Sequence, residues 1–445
     1  MSELFDPVLA AGPVSGQVDD AAWLHGMLDF EAALAGAQAD VGLLDPAHAR
    51  RIGEVCQDAS FDIAELGNAA TGIGNPAGPL VRALTERVGG AAARHVHAGA
   101  TSQDVLDTSA MLVSARALES LLGELDAAAA AAARLAAEHA ETVQVGRTLS
   151  QHALPVTFGF TAAGWLSALD ASGGRLRAVR LPAQLGGAVG TLASLGTAGP
   201  EVLAALARRL GLSEPVLPWH TDRTPVAELA CALGEVAGAV SAVARSVVLL
   251  AQTDVGEVHE QGPEGSGGSS TMPHKRNPVA AVSALACAKQ APGLVADLLA
   301  TMEQEHQRAA GAWHAEWQPL TQLWRVCGSA VYWLRTSLER LRVDADRMRE
   351  NLDRGGGVLL AERVTTELAP SVGRLAAHDA VTGCCRRALD GEGTVAELLA
   401  ADPLVAAQLS RARIDELLDP SGYLGSAVVF VERSLAAHRA RKEEV

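Results

Sequence analysis

Apolar residues recur at alternating spacings of four and three through Leu229, Leu233, Val236, Val240, Val243, Val247 and Leu250. Such a seam is what one long helix presents along a single face, and Pro225 suits its first turn, where no backbone N–H is needed. Met111, Ala115, Leu118, Leu122 and Leu125 repeat the pattern, and the alanine-rich run 127–133 extends it with the strongest helix former. The spacing predicts further long helices over 150–175, 279–304 and 318–343. No segment shows sustained strand alternation. The expected fold class is therefore all-α, built on a bundle of long, mostly antiparallel helices. Turn residues break the ends: Gly72-Ile73-Gly74-Asn75-Pro76-Ala77-Gly78-Pro79 on one side, Gly355-Gly356-Gly357 on the other. These signals suggest an N-terminal helical part at 1–104, a central bundle at 105–351 and a C-terminal helical part from 352 to 445.

Composition sharpens this picture. Hydrophobic residues make up 49% of the 445 positions but aromatics only 3%, so alanine and leucine must fill the core, which favours closely packed helices. A net charge of −16 argues against a nucleic-acid or anionic-membrane partner, and any anion site must be a local basic pocket. The start Met-Ser-Glu-Leu-Phe-Asp-Pro has neither the basic nor the apolar stretch of a secretory signal, and no apolar run of spanning length is free of polar residues. The six cysteines, at 56, 231, 287, 327, 384 and 385, form no Cys-x-x-Cys pair and read as free thiols in a reducing cytoplasm.

One loop carries the strongest chemical signal. Residues 265–278 read Gly-Ser-Gly-Gly-Ser-Ser-Thr-Met-Pro-His-Lys-Arg-Asn-Pro. Gly267 and Gly268 supply the hinge of a mobile lid. Ser269 and Ser270 offer hydroxyls, and a serine acts as a base only where positive charge or N–H groups stabilise its alkoxide. Lys275, Arg276 and Asn277 supply charge and an amide nearby. Pro278 opens a helix whose N-terminal N–H groups would favour an anion.

The loop resembles the signature of the fumarase/aspartase superfamily, Gly-Ser-Ser-x-Met-Pro-x-Lys-x-Asn, and matches it at every fixed position from Gly268 to Asn277. The resemblance implies a three-part all-α fold whose central bundle joins a twenty-helix core in a homotetramer, with active sites shared between subunits. It also implies that Ser269 is the catalytic acid/base and that Lys275 and Asn277 bind a substrate carboxylate. A second segment, His97-Ala98-Gly99-Ala100-Thr101-Ser102-Gln103-Asp104, could simply cap the helix that follows. Five polar groups beside Gly99 favour a binding loop. It is similar to the superfamily pattern His-x-Gly-x-Thr-Ser-x-Asp, which implies a carboxylate site at Thr101 and Ser102, with Gln103 and His97 close by.

A third segment, Gly146-Arg147-Thr148-Leu149-Ser150-Gln151-His152, places a guanidinium and an imidazole where an anion would sit well. Relatives that release an amine or hydroxide read Gly-Arg-Thr-His here, and that histidine serves the leaving group. Leu149 stands in its place, and His152 matches a second histidine three residues on. An amine or hydroxide must be protonated as it leaves, whereas a carboxylate, with a conjugate-acid pKa of roughly 4, need not be. Leu149 thus suggests a substrate whose attacking or leaving group is a carboxylate. Glu303–Arg308 and Trp313-His314-Ala315-Glu316-Trp317 complete the polar clusters. No His-x-x-x-His or cysteine partner supports a metal there, and no metal or organic cofactor is expected.

Within the superfamily, the segments 99–104, 270–278, 305–308 and 313–317 resemble the bacterial 3-carboxy-cis,cis-muconate cycloisomerases, as do Gly74-Asn75, Pro218-Trp219-His220-Thr221 and Leu417-Leu418-Asp419-Pro420. That resemblance implies lactonisation of a small polycarboxylate, with Ser269 carrying the proton. His152, Arg147, Thr101, Ser102 and Asn75 would hold the carboxylates. The alternatives are another lyase of the same fold, of adenylosuccinate, argininosuccinate or nitrosuccinate type, and a non-catalytic protein of crystallin kind.

Overall fold

A computed structural model describes residues 3–263, 267–268, 272 and 275–443. Long helices dominate it: Ser102–Glu138, Phe158–Arg177, Thr224–Ala251 and Trp317–Arg340. The heptad seam lies where the periodicity puts it. Leu229, Leu233, Val236, Val240 and Val247 are fully shielded from solvent, each contributing roughly 1.5–3 kcal/mol relative to exposure. Thr224–Ala251 and Val279–Ala300 are long and apolar enough, by composition alone, to cross a bilayer.

The chain divides into two compact units. The first comprises 1–126, 171–242 and 283–334; the second comprises 127–170, 243–282 and 335–445. Every boundary between them falls inside a helix. In the first unit, Phe30, Leu34, Ile52, Leu80, Leu84, Val105, Leu206 and Trp313 share one core. The helices Asp20–Asp40 and Pro46–Asp58 that feed it are capped by Asp19 and Asp45, whose carboxylates accept backbone N–H groups. In the second unit, Val364, Leu368, Val381, Leu398, Leu399 and Ile414 form a C-terminal core, and Thr394 with Glu397 makes a reciprocal capping box.

Three expectations need correction. The segment expected as helix from 150 begins instead as the second arm of a hairpin, β1 (Val143–Thr148) and β2 (Gln151–Thr157), and the helix starts only at Phe158. Pro155 and the β-branched Val143, Val145, Val156 and Thr157 resist helix, and the Thr157 hydroxyl then accepts the Phe160 N–H at 3.0 Å as a cap. The helix expected over 279–304 is two, Val279–Ala288 and Ala291–Ala300, because Pro292 can sit only in a first turn. The helix through 343 ends at Arg340, and Leu341–Val343 (β4) pairs antiparallel with β3 (Val258–Glu260).

Candidate functional site

In the first unit the loop 97–101 rests on a buried polar network. His97 (φ 60°) and Gly99 (φ 81°) turn the chain, and a side chain at Gly99 would meet Leu195 at 2.5 Å. The Asp104 carboxylate is sealed from solvent and accepts four donors: Thr101 N–H at 2.9 Å, Gly186 N–H at 2.8 Å, Gly187 N–H at 2.9 Å and His220 Nε2 at 2.7 Å. One turn on, Asp107 receives both terminal nitrogens of Arg223, at 2.9 and 3.0 Å, and the Trp313 indole at 3.0 Å. Arg223 also grips Glu316, at 2.9 and 2.6 Å. Burial opposes the Arg223 charge, but the two carboxylates outweigh it and raise its pKa. Thr101 and Ser102 are thus presented, half-buried, from a rigid base.

His97 points its Nδ1 at Glu31 Oε1, 2.7 Å away on a buried carboxylate. Burial works against protonation of this imidazole. The hydrogen bond and charge of Glu31, with the charge of Asp104, prevail and raise its pKa. Gln103 belongs to the same buried network. It is fully buried, and its amide donates to Asp107 at 3.1 Å and to the His220 carbonyl at 2.8 Å. Asn75 caps the helix Ala77–Val88, its Oδ1 accepting the Gly78 N–H at 3.3 Å. The exposed His314 ring lies among Trp313 and Trp317, 5.0 Å from each, and a Cβ on Gly74 would come within 3.8 Å of its Nε2.

The second unit holds the other expected residues. At the hairpin tip Leu149 (φ 51°) and Ser150 (φ 63°) form the two-residue turn, with Thr148 opposite Gln151 and Arg147 opposite His152. Leu149 is 98% exposed, and His152 is exposed beside it. Arg147 is paired with the buried Glu257. Gln144 and Asn351 donate to the same carboxylate at 2.8 Å each.

Of the signature loop, Gly267, Gly268, Met272 and residues 275–278 are described, and Ser269 and Ser270 lie outside the described residues. Gly268 and Arg276 bridge antiparallel, and Gly267 O accepts both the Asn277 N–H, at 2.9 Å, and its side-chain amide, at 3.1 Å. Gly267 (φ 73°) must lack a side chain, since a Cβ would come 2.7 Å from Asn277 O. Asn277 thus fastens the foot of the loop, while Lys275 is exposed. The helix N-terminus expected to welcome an anion is already occupied: Glu260 accepts the N–H groups of Ala280 and Ala281 at 3.0 and 2.9 Å.

Glu31, Arg223, Glu257 and Glu260 escaped sequence reasoning. Their partners lie far along the chain, so no local pattern marks them. Comparison with known proteins places the whole arrangement. Residues 9–293 match the lyase family, and residues 357–434 match the adenylosuccinate lyase C-terminus family. The chain is 46% identical over 441 residues to 3-carboxy-cis,cis-muconate cycloisomerase of Bradyrhizobium diazoefficiens, covering 98% of each. It is 43% identical to nitrosuccinate lyase of Streptomyces davaonensis, covering 98% of this chain and 94% of that one. Its fold matches the crystal structure of the 3-carboxy-cis,cis-muconate lactonizing enzyme from Pseudomonas putida with a TM-score of 0.94, at 43% identity and 99% coverage of each chain. With the signature loop, the helical bundle and full-length similarity in agreement, this chain belongs to the lyase family of the fumarase/aspartase superfamily.

Proposed function

We propose that the chain is a cycloisomerase that closes 3-carboxy-cis,cis-muconate into 4-carboxymuconolactone, working as a homotetramer in which loops of different protomers make one site. Full-length identity of 46% to a cycloisomerase carries this reading. The chemistry suits the residues. One carboxylate oxygen of the substrate adds to a double bond conjugated with another carboxylate, forming the ring C–O bond. Negative charge then builds on that second carboxylate as an enolate-like dianion. Fixed donors at that position give the largest expected rate contribution, and Lys275 is the candidate cation. The α-carbon takes up one proton, from the Ser269 hydroxyl, which solvent restores. Thr101, Ser102, His97 and His152 hold the remaining carboxylates. Arg147 and Asn277 act from behind, one supporting the hairpin and the other the loop.

A second reading is favoured by the 43% identity to nitrosuccinate lyase. Nitrite, like a carboxylate, leaves without a proton, so Leu149 fits both reactions. The number of carboxylates separates them. Purified protein given 3-carboxy-cis,cis-muconate should form the lactone, and given nitrosuccinate should release little nitrite. Nitrite release without lactone formation overturns the first reading in favour of the second. Ser269→Ala should lower turnover on the order of 100-fold or more while leaving the fold intact.

A further inference from the structure

Two carboxylates three residues apart lie at the ends of the short strand β3, Glu257 just before it and Glu260 as its last residue, and each holds a different part of the second unit. Glu257 is fully buried and receives Arg147 from the hairpin, together with Gln144 and Asn351. Arg147 stands at the foot of the turn whose tip carries Leu149 and His152. Glu260 takes the N–H groups of Ala280 and Ala281, in the helix that starts two residues after Asn277. β3 itself is anchored. Val258, His259 and Glu260 pair with Val343, Arg342 and Leu341, and the Gln261 N–H donates to Arg340 O at 2.9 Å.

An ordinary helix cap comes from the residue just before the helix and fixes only that end. Glu260 lies 20 residues before Ala280, on the far side of the signature loop. Its two hydrogen bonds therefore close the loop as a whole, outside the second closure made by Gly267 and Asn277. The carboxylate also meets the positive end of the helix, where a negative charge is favoured.

We propose that β3 is the positioning element of the second unit, with Glu257 setting the hairpin and Glu260 setting the Lys275–Asn277 arm. Lys275 and His152 then keep fixed places from one turnover to the next. The inference rests on the reading that these side chains meet the substrate, but the hydrogen bonds behind it are independent of what that substrate is.

The test uses the full chain with Glu260→Ala, Glu260→Gln and Glu257→Gln. In Glu260→Ala, backbone hydrogen exchange should quicken over 275–281 without substrate. KM for 3-carboxy-cis,cis-muconate should rise on the order of 10- to 100-fold, since small misplacements of a binding group have effects of that size. Glu260→Gln retains one good acceptor and should restore part of the affinity. Glu257→Gln should quicken exchange in 147–152 and leave 275–281 protected. Wild-type KM and exchange in Glu260→Ala would overturn the proposal. So would a fall in kcat and thermal midpoint with KM unchanged, which is the mark of a merely structural group. If Glu260→Ala does not fold, Glu260→Gln decides by the same readouts. If wild-type protein does not turn over carboxymuconate, the activity reading fails, and the exchange pattern still decides the role of β3.

Discussion

Arg147 and Glu257 form a two-pronged ion pair, Nη1 at 3.0 Å from Oε2 and Nη2 at 2.5 Å from Oε1, around a carboxylate that solvent does not reach. A planar guanidinium suits this geometry and an ammonium does not. Arg147→Lys should therefore lower the thermal midpoint, and Glu257→Ala should destabilise by about 3–5 kcal/mol because it strands a half-buried cation. Thermal and urea unfolding measure both. If Arg147→Lys leaves stability unchanged but raises KM sharply, Arg147 contacts the substrate directly and the supporting role is wrong.

The pairing of His97 with Glu31 makes stability depend on pH in a definite direction. The folded pKa of His97 lies above the unfolded value of roughly 6.5, because the hydrogen bond and charge of Glu31 outweigh burial. The proton is bound more tightly in the folded chain, so the contribution is complete below about pH 6.5 and is lost as pH rises through the folded pKa. His97→Gln should cost more stability at pH 5.5 than at pH 9. Urea unfolding of both proteins at the two pH values measures this, and an equal cost at both would refute it.

How much of this follows from the residues alone differs by element. The seam Leu229–Leu250 was readable because burying one face of a helix and spacing apolar residues by three and four are the same requirement. The hairpin at 143–157 was not, since its strands are short and its register shifts between Val145 and Arg147, where the bare Gly146 lets Leu154 O approach to 2.5 Å from where a Cβ would stand. Asp104 was readable as a local cap and does bond the Thr101 N–H, but its bonds to Gly186 and His220 span 82 and 116 residues. Nothing local marks a charge as buried. The partners of Glu257 and Glu260 likewise come from distant segments, Arg147 lying 110 residues away and Ala280 20 residues away.

The hairpin turn offers a stabilising change. Leu149 and Ser150 both adopt positive φ, 51° and 63°, a backbone that residues with a side chain enter at a cost of roughly 1–2 kcal/mol each. Two-residue hairpin turns of this kind favour asparagine and then glycine. Ser150→Gly should raise stability by up to about 1 kcal/mol, the backbone strain removed being partly offset by the looser unfolded chain. A lower thermal midpoint for Ser150→Gly would show that the Ser150 side chain has a stabilising role greater than the strain.

Arg223 sits between Asp107 and Glu316 with all three side chains shielded from solvent, so one cation balances two anions. Replacing the arginine by an apolar side chain of similar length leaves two carboxylates buried without a counter-charge. Arg223→Met should destabilise the first unit by about 3–5 kcal/mol near neutral pH. Burial already raises the Glu316 pKa even with Arg223 in place. Without Arg223 both acids should bind protons more tightly folded than unfolded. Stability of the variant should then be greatest at low pH and fall as pH rises through the folded pKa values. Asp107→Asn and Glu316→Gln added to Arg223→Met remove the buried charges and should restore much of the loss and flatten the pH response. Urea unfolding of the single and triple variants at pH 5 and pH 8 tests this. A single variant equally destabilised at both pH values would mean that lost packing around the guanidinium, rather than uncompensated charge, sets the cost.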